Sequence, residues 1–146
     1  MKVMCISDIH GSIDDLEKII ERYRQENAEK LLILGDFSSY YFSSKDFEVS
    51  EILNNIAGDI IAVKGNCDNS QTEEMLNFTL NYLKNITINN LSITLTHGHI
   101  YNRNNLPENC GQIFLNGHTH VGAIERIGER IIANPGSISK PRRGKQ

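Results

Sequence analysis

Cysteine is scarce, and the three present, Cys5, Cys67 and Cys110, are odd in number and far apart. That argues against a disulfide framework and fits a reducing, cytoplasmic setting. No apolar run approaches the roughly 18 residues a membrane span needs. The short run at 3–6 meets Ser7-Asp8 at once, too soon for a signal-peptide core. A basic excess is also missing: 15 Lys and Arg stand against 18 Asp and Glu, for a net charge of -3. Proteins that grip extended nucleic acid carry a strongly basic face, so that class is not expected. The one basic cluster, Lys140, Arg142, Arg143 and Lys145, reads as a solvated tail. There is no repeat and no low-complexity linker. What remains is an ordinary globular composition, 39% hydrophobic and 23% charged, over 146 residues. One domain spanning 1–146 is expected, long enough to bury a core.

The first half reads as strand-helix-strand-helix-strand. Residues 2–7 and 31–34 are apolar with little alternation, as buried strands are, and 60–63 is a third such run. Ser12 is placed to cap a helix in which Ile13, Leu16, Ile19, Ile20 and Tyr23 share one face. A second helix is expected over 46–56, with Phe47, Ile52, Leu53 and Ile56 inward. This order predicts a largely parallel sheet joined by crossover helices. A third helix is expected near 72–80. The rest is strand-rich: 86–88 and 91–96 around Asn89-Asn90, then 113–115, then a hairpin of 121–127 and 130–133.

Five expected strands end on residue types that ligate metals. They end on Asp8-Ile9-His10, Gly35-Asp36, Gly65-Asn66-Cys67-Asp68, His97-Gly98-His99 and Gly117-His118-Thr119-His120. In open α/β sheets, ligands sit beyond the carboxyl ends of the strands. All five histidines of the chain lie in these segments. A single histidine is more often a satisfied core or surface residue than a ligand. Five of them beside Asp and Asn are hard to explain as packing, because imidazoles and carboxylates are costly to bury unpaired. A shared metal ion removes that cost. Imidazole, carboxylate and amide oxygen without thiolate favour manganese, iron, magnesium, zinc or nickel over a soft-metal or iron–sulfur site. Cys5 is most simply a small core residue.

In order, the motifs DIH, GD, GNCD, HGH and GHTH and the segment Asn134-Pro135-Gly136-Ser137 resemble the calcineurin-like metallophosphoesterases, nearest their small bacterial and archaeal phosphodiesterases. The resemblance covers residues 1 to about 141. It implies a four-layer α/β/β/α sandwich of two mixed sheets. It also implies two divalent metal ions, one held by Asp8, His10 and His120 and the other by Asn66, His97 and His118, with Asp36 bridging. The implied reaction is hydrolysis of a small phosphodiester, or a phosphomonoester, by a hydroxide bridging the two metals. Two such ions can activate a shared water and clamp phosphate oxygens. Asp36, Asn66 and His99 are the residues expected nearest the chemistry. His99 is left over once ligands are assigned; it is read either as a contact or proton donor to substrate or as an orienting partner of a ligand. A non-catalytic scaffold on the same fold, as in the related retromer subunit, is the rival reading, and it normally goes with eroded ligands.

Two departures disfavour a protein phosphatase: Cys67 stands where such enzymes carry histidine, and Phe37-Ser38-Ser39-Tyr40-Tyr41 replaces a longer acidic and arginine pattern. The aromatic cluster Phe37, Tyr40, Tyr41 and Phe42 is read first as scaffold packing or a subunit contact, and second as a substrate pocket. Arg103 is expected to be an exposed loop residue. Family members continue past the Asn-Pro-Gly-Ser segment with further strands, whereas this sequence ends at Gln146. Either a partner subunit supplies those strands or the sheet is simply smaller; an exposed edge there would favour association, and a homo-oligomer is the expectation. No membrane partner is expected.

Overall fold

The computed structural model describes residues 1–142. Arg143 and Lys145 of the expected basic tail lie outside these. Strand β1 (Val3–Ile6), helix α1 (Ile13–Gln25), β2 (Lys30–Ile33), α2 (Ser44–Asn54) and β3 (Ile60–Ala62) form the first half. The three strands pair in the order β1-β2-β3, all parallel. This sheet is therefore parallel throughout rather than mixed, because each strand is followed by a crossover rather than a tight turn. Helix α3 (Ser70–Met75) leads into the second half: β4 (Leu83–Ile88), β5 (Leu91–Thr96), β6 (Ile113–Leu115), β7 (Ala123–Ile127) and β8 (Arg130–Asn134). They pair in the order β4-β5-β6-β8-β7, with β5, β6 and β8 parallel and the two hairpins antiparallel.

Why residues 31–34 are apolar without alternation is now plain. Leu31 and Ile33 face the helices, packing with Leu16, Ile20, Val49 and Leu53. Leu32 and Leu34 face the second sheet, packing with Val63, Ile93 and Leu95. All four are fully buried, since alternate side chains of one central strand enter two cores. Burying each such leucine contributes about 1.5–3 kcal/mol. Cys5 is partly buried in the inter-sheet core, as its simplest reading expected, and burial pushes its thiol up to about 12.

On the outer face of the second sheet, Thr94, Phe114 and Ile132 align by register. Segment 98–112, which contains no helix, is tied across this side: Gly111 N–H donates to Thr94 Oγ1 at 2.8 Å, and Arg130 Nε donates to Gly111 O at 3.0 Å. Arg103, exposed as expected, pairs with Glu125 at 3.0 Å.

Several local expectations shift. Ser12 does occupy the N-cap of α1, but its hydroxyl donates to Asp15 Oδ2 at 2.6 Å instead of accepting from a backbone N–H. Helix α2 starts two residues early, since Ser43 and Asp46 form a reciprocal cap there. Phe47 is 52% exposed rather than inward, and packs edge-on against Phe42. Helix α3 starts at Ser70 because Asn69 and Thr72 cap it, and Leu76 already has extended backbone, so 76–80 is not helical.

Candidate metal centre

The carboxyl ends of β1, β2, β3, β5 and β6 meet at one place. Backbone bonds join the loops there: Asp8 N–H donates to Gly35 O at 3.1 Å, His10 N–H to Asp36 O at 3.0 Å, and Gly117 N–H to His97 O at 2.6 Å. Asp8, His10, Asp36, His118 and His120 all have positive φ, between 47° and 72°. A non-glycine residue in that region costs energy, and the surrounding structure must enforce it. Five such residues lie together at these strand ends, which makes this region a candidate functional site. Close approach also demands glycine: a Cβ on Gly35 would lie 2.6 Å from Gly65 N and 2.9 Å from His97 Nδ1.

All seven expected ligand positions come together, as two groups. In the first, His10 Nε2 lies 3.2 Å from His120 Nε2 and 3.6 Å from Asp8 Oδ1, and His120 Nε2 lies 3.3 Å from Asp8 Oδ1. In the second, His118 Nδ1 lies 3.1 Å from Asn66 Oδ1 and 3.2 Å from His97 Nε2. Asp36 Oδ2 lies between them, 3.5 Å from His10 Nε2 and 3.2 Å from His97 Nε2. Bonds of about 2.1 Å to one cation place neighbouring donors about 3.0–3.4 Å apart; five of these seven spacings lie in that range and the other two, 3.5 and 3.6 Å, just beyond it, so the donor sets fit a cation. A further observation agrees: Asp8 Oδ1 is buried without a hydrogen-bond partner. Burying a carboxylate oxygen without a partner is costly, and a cation shared with the imidazole nitrogens around it would offset that cost.

Outer contacts orient the donors. His97 Nδ1 donates to Leu34 O at 2.6 Å and His120 Nδ1 to Lys140 O at 3.0 Å, so each presents an Nε2 lone pair inward. Asp8 Oδ2 accepts from Ser7 Oγ at 2.7 Å and His118 N–H at 3.1 Å, leaving Oδ1 free to ligate. Asp36 Oδ1 accepts from Cys67 N–H at 2.8 Å, leaving Oδ2 between the groups. Burial pushes the Asp36 carboxyl up, but the hydrogen bond and charge of His97, the Cys67 N–H and His10 outweigh it and hold the group at about 2. Burial pushes His97 down, and Asp36 outweighs that and raises it. Burial, followed by the neighbouring carboxylates, pushes the Cys67 thiol up to about 12, so it is a neutral neighbour rather than a nucleophile.

His99 stands outside both groups. Its ring centroid is 5.4 Å from that of His97 and 5.6 Å from that of Tyr82, and its buried Nδ1 has no partner. Burial first, then His97 and His118, lowers its pKa. The aromatic cluster divides: Phe37 is buried in the helix-side core, Phe42 packs on Phe47, and Tyr40 stacks on His10.

Two supporting residues went unread in the sequence. Asp68 accepts from the N–H groups of Asp36, Phe37 and Gly65, each at 2.8 Å, and so locks two ligand loops together. Ser137, in the segment after β8, donates to Asp8 O at 2.8 Å. Asp68 was visible as the fourth residue of Gly65-Asn66-Cys67-Asp68, but nothing in sequence spacing shows which N–H groups it receives.

Among known proteins, the chain is 37% identical to phosphodiesterase YfcE of Escherichia coli (strain K12), over 99% of this chain and 83% of that one. A solved structure of YfcE, described as a phosphoesterase, superposes with a TM-score of 0.92 at 36% identity, covering 99% of this chain and 84% of that one. Vps29 of Entamoeba histolytica, complexed with zinc, superposes with a TM-score of 0.69 at 25% identity, covering 94% of this chain and 74% of that one. The family profile described as "Calcineurin-like phosphoesterase superfamily domain" matches residues 1–146, and the chain belongs to that superfamily.

Proposed function

We propose that this phosphoesterase-family chain hydrolyses phosphodiesters with two divalent cations, one at Asp8, His10 and His120 and one at Asn66, His97 and His118, sharing Asp36. One observation carries the reading: a single carboxylate oxygen, Asp36 Oδ2, lies 3.5 Å and 3.2 Å from imidazole nitrogens of the two groups. When bound, two such cations supply an activated water and neutralise charge on the phosphoryl oxygens. The chain's own residues do the rest. Asp8 and Asp36 are the only carboxylates among the seven ligands, so the loaded site stays cationic and attracts a phosphate anion. Leu34 O, Lys140 O and Ser7 Oγ hold the donors in place, and the role proposed for His99 is either to contact substrate or deliver a proton to the departing oxygen, or to orient a ligand. Manganese is the metal proposed for this imidazole, carboxylate and amide set.

The diester preference rests on the relatives called phosphodiesterases, YfcE and a Methanocaldococcus jannaschii protein 30% identical over 93% of this chain. It also rests on Cys67, a neutral thiol where phosphatases carry histidine. A scaffold role is disfavoured because no ligand position is eroded. No helix among the described residues is long and apolar enough to cross a membrane. The proposed partner is a small phosphate ester, and association with a second copy remains a proposal tested by light scattering.

The test strips the protein with chelator, restores each divalent metal and assays bis(p-nitrophenyl) phosphate, p-nitrophenyl phosphate and a phosphoserine peptide. Metal-dependent turnover of the diester above both monoesters is expected, and Asp36→Asn should lower it by on the order of 1000-fold. Turnover without metal, or with Asp36→Asn intact, contradicts the reading.

A further inference from the structure

Beyond the ligands themselves, an exposed aromatic side chain lies against the metal centre. The Tyr40 ring stacks on His10 with centroids 5.8 Å apart and planes 14° from parallel. Its loop is fixed rather than loose. Buried Asp46 accepts from Ser39 N–H at 3.0 Å, Ser39 Oγ at 3.0 Å and Ser43 N–H at 2.8 Å. Ser39 Oγ also lies 2.8 Å from Tyr41 O, closing the turn around Tyr40. Yet Tyr40 itself is 68% exposed, so a held ring keeps most of its surface uncovered. Phe42, two residues on, differs because Phe47 covers it.

A cation accompanies the ring. Lys140 Nζ lies 6.0 Å from the Tyr40 centroid, and among the described residues it has no carboxylate partner. The same residue's carbonyl accepts from His120 Nδ1, so its backbone is fixed against the first metal group. At the opposite end, Lys64 lies 5.4 Å from the Tyr82 centroid but pairs with Glu73 at 3.3 Å, which offsets its charge. Only the His10 end therefore combines an uncovered ring with an unpaired ammonium among the described residues.

We propose that Tyr40 and Lys140 form a subsite for one arm of the ester, which selects substrates carrying a planar ring. Tyr40 stacks on that ring, and Lys140 meets the negative charge of the phosphate. The proposal rests on the phosphoesterase reading and narrows it from any diester to one with an aromatic or nucleobase arm. Aromatic side chains holding a flat ring in this way change affinity by roughly tenfold. A solvent-exposed ammonium adds about two- to fivefold for an anion without selecting its organic part.

The experiment compares phenylphosphonate with methylphosphonate, binding to the metal-loaded chain by calorimetry. The wild type should bind phenylphosphonate roughly tenfold more tightly than methylphosphonate. Tyr40→Ala should erase that preference while leaving methylphosphonate affinity unchanged, which also reports an intact metal centre. Tyr40→Phe should retain the preference, and Lys140→Gln should weaken both ligands equally. Equal binding of the two ligands by the wild type, or a preference that survives Tyr40→Ala, overturns the subsite. Bis(p-nitrophenyl) phosphate hydrolysis is followed in parallel. Phenyl preference without any turnover would contradict the phosphoesterase reading and leave the subsite standing.

Discussion

The two candidate ligand groups are built differently, although Asp36 Oδ2 lies between them. Asp8, His10 and His120 are all buried, and Asp8 brings a negative charge of its own. In the other group only His97 is buried; Asn66 and His118 are exposed, and the oxygen donor is a neutral amide. Coulomb attraction for a cation is stronger where a carboxylate is desolvated and water is excluded. The buried group therefore suits a cation held tightly, and the open group one that exchanges with solvent and meets substrate. Exposure also falls on the side where His99, with its unpartnered Nδ1, faces the second group.

The largest effect that could break this contrast is unequal metal loss. Asp8→Asn should lower affinity at the buried group by on the order of 100-fold, whereas Asn66→Ala should weaken only the open group, by about tenfold. Metal analysis after dialysis against graded chelator reads both; equal losses would erase the distinction. Next, His99→Ala should lower kcat by about 10- to 100-fold with two metals still bound, if it delivers a proton. A drop in metal content instead would assign it to orienting a ligand. Asp68→Asn comes third. An amide cannot accept as the carboxylate does from three N–H groups, so stability should fall by about 1–3 kcal/mol, read by urea unfolding. Asp68 touches loops of Asp36 and Gly65, so the open group should loosen before the buried one.

The smallest effect concerns acid. In the metal-free protein Asp36 is held at about 2, below its ordinary 3.8, because His97 and its other partners outweigh burial. Its stabilising contribution is complete above 3.8 and disappears as pH falls through about 2. Urea midpoints measured across that interval should fall in the wild type and fall less in Asp36→Asn.

The convergence of the candidate ligands was legible because they cluster at strand ends and draw on few residue types, while their division into two groups came from the family resemblance. The alternation of Leu31 to Leu34 between two cores was legible for the same reason: both faces are apolar, and no polar residue interrupts. What the pattern could not carry was contact made across the fold. Phe47 lies in the inward stripe of α2 but finds Phe42 outside, and Asp46 turns from a helix residue into the anchor of the Tyr40 turn. Residues 76–80 look helical because Leu76 and Leu80 are apolar four apart. Both are indeed buried, yet Leu76 already has extended backbone and the chain bends at Asn77 and Phe78, so burial and periodicity parted company. Tyr40 could be seen as aromatic; that it lies on His10 needed the loop geometry.

The most direct test is a calorimetric titration of the chelator-stripped protein with manganese. Two stepwise equivalents are predicted, the first tighter, with Asp36→Asn weakening both. A single equivalent, or two that ignore Asp36→Asn, would contradict a centre joined by that aspartate.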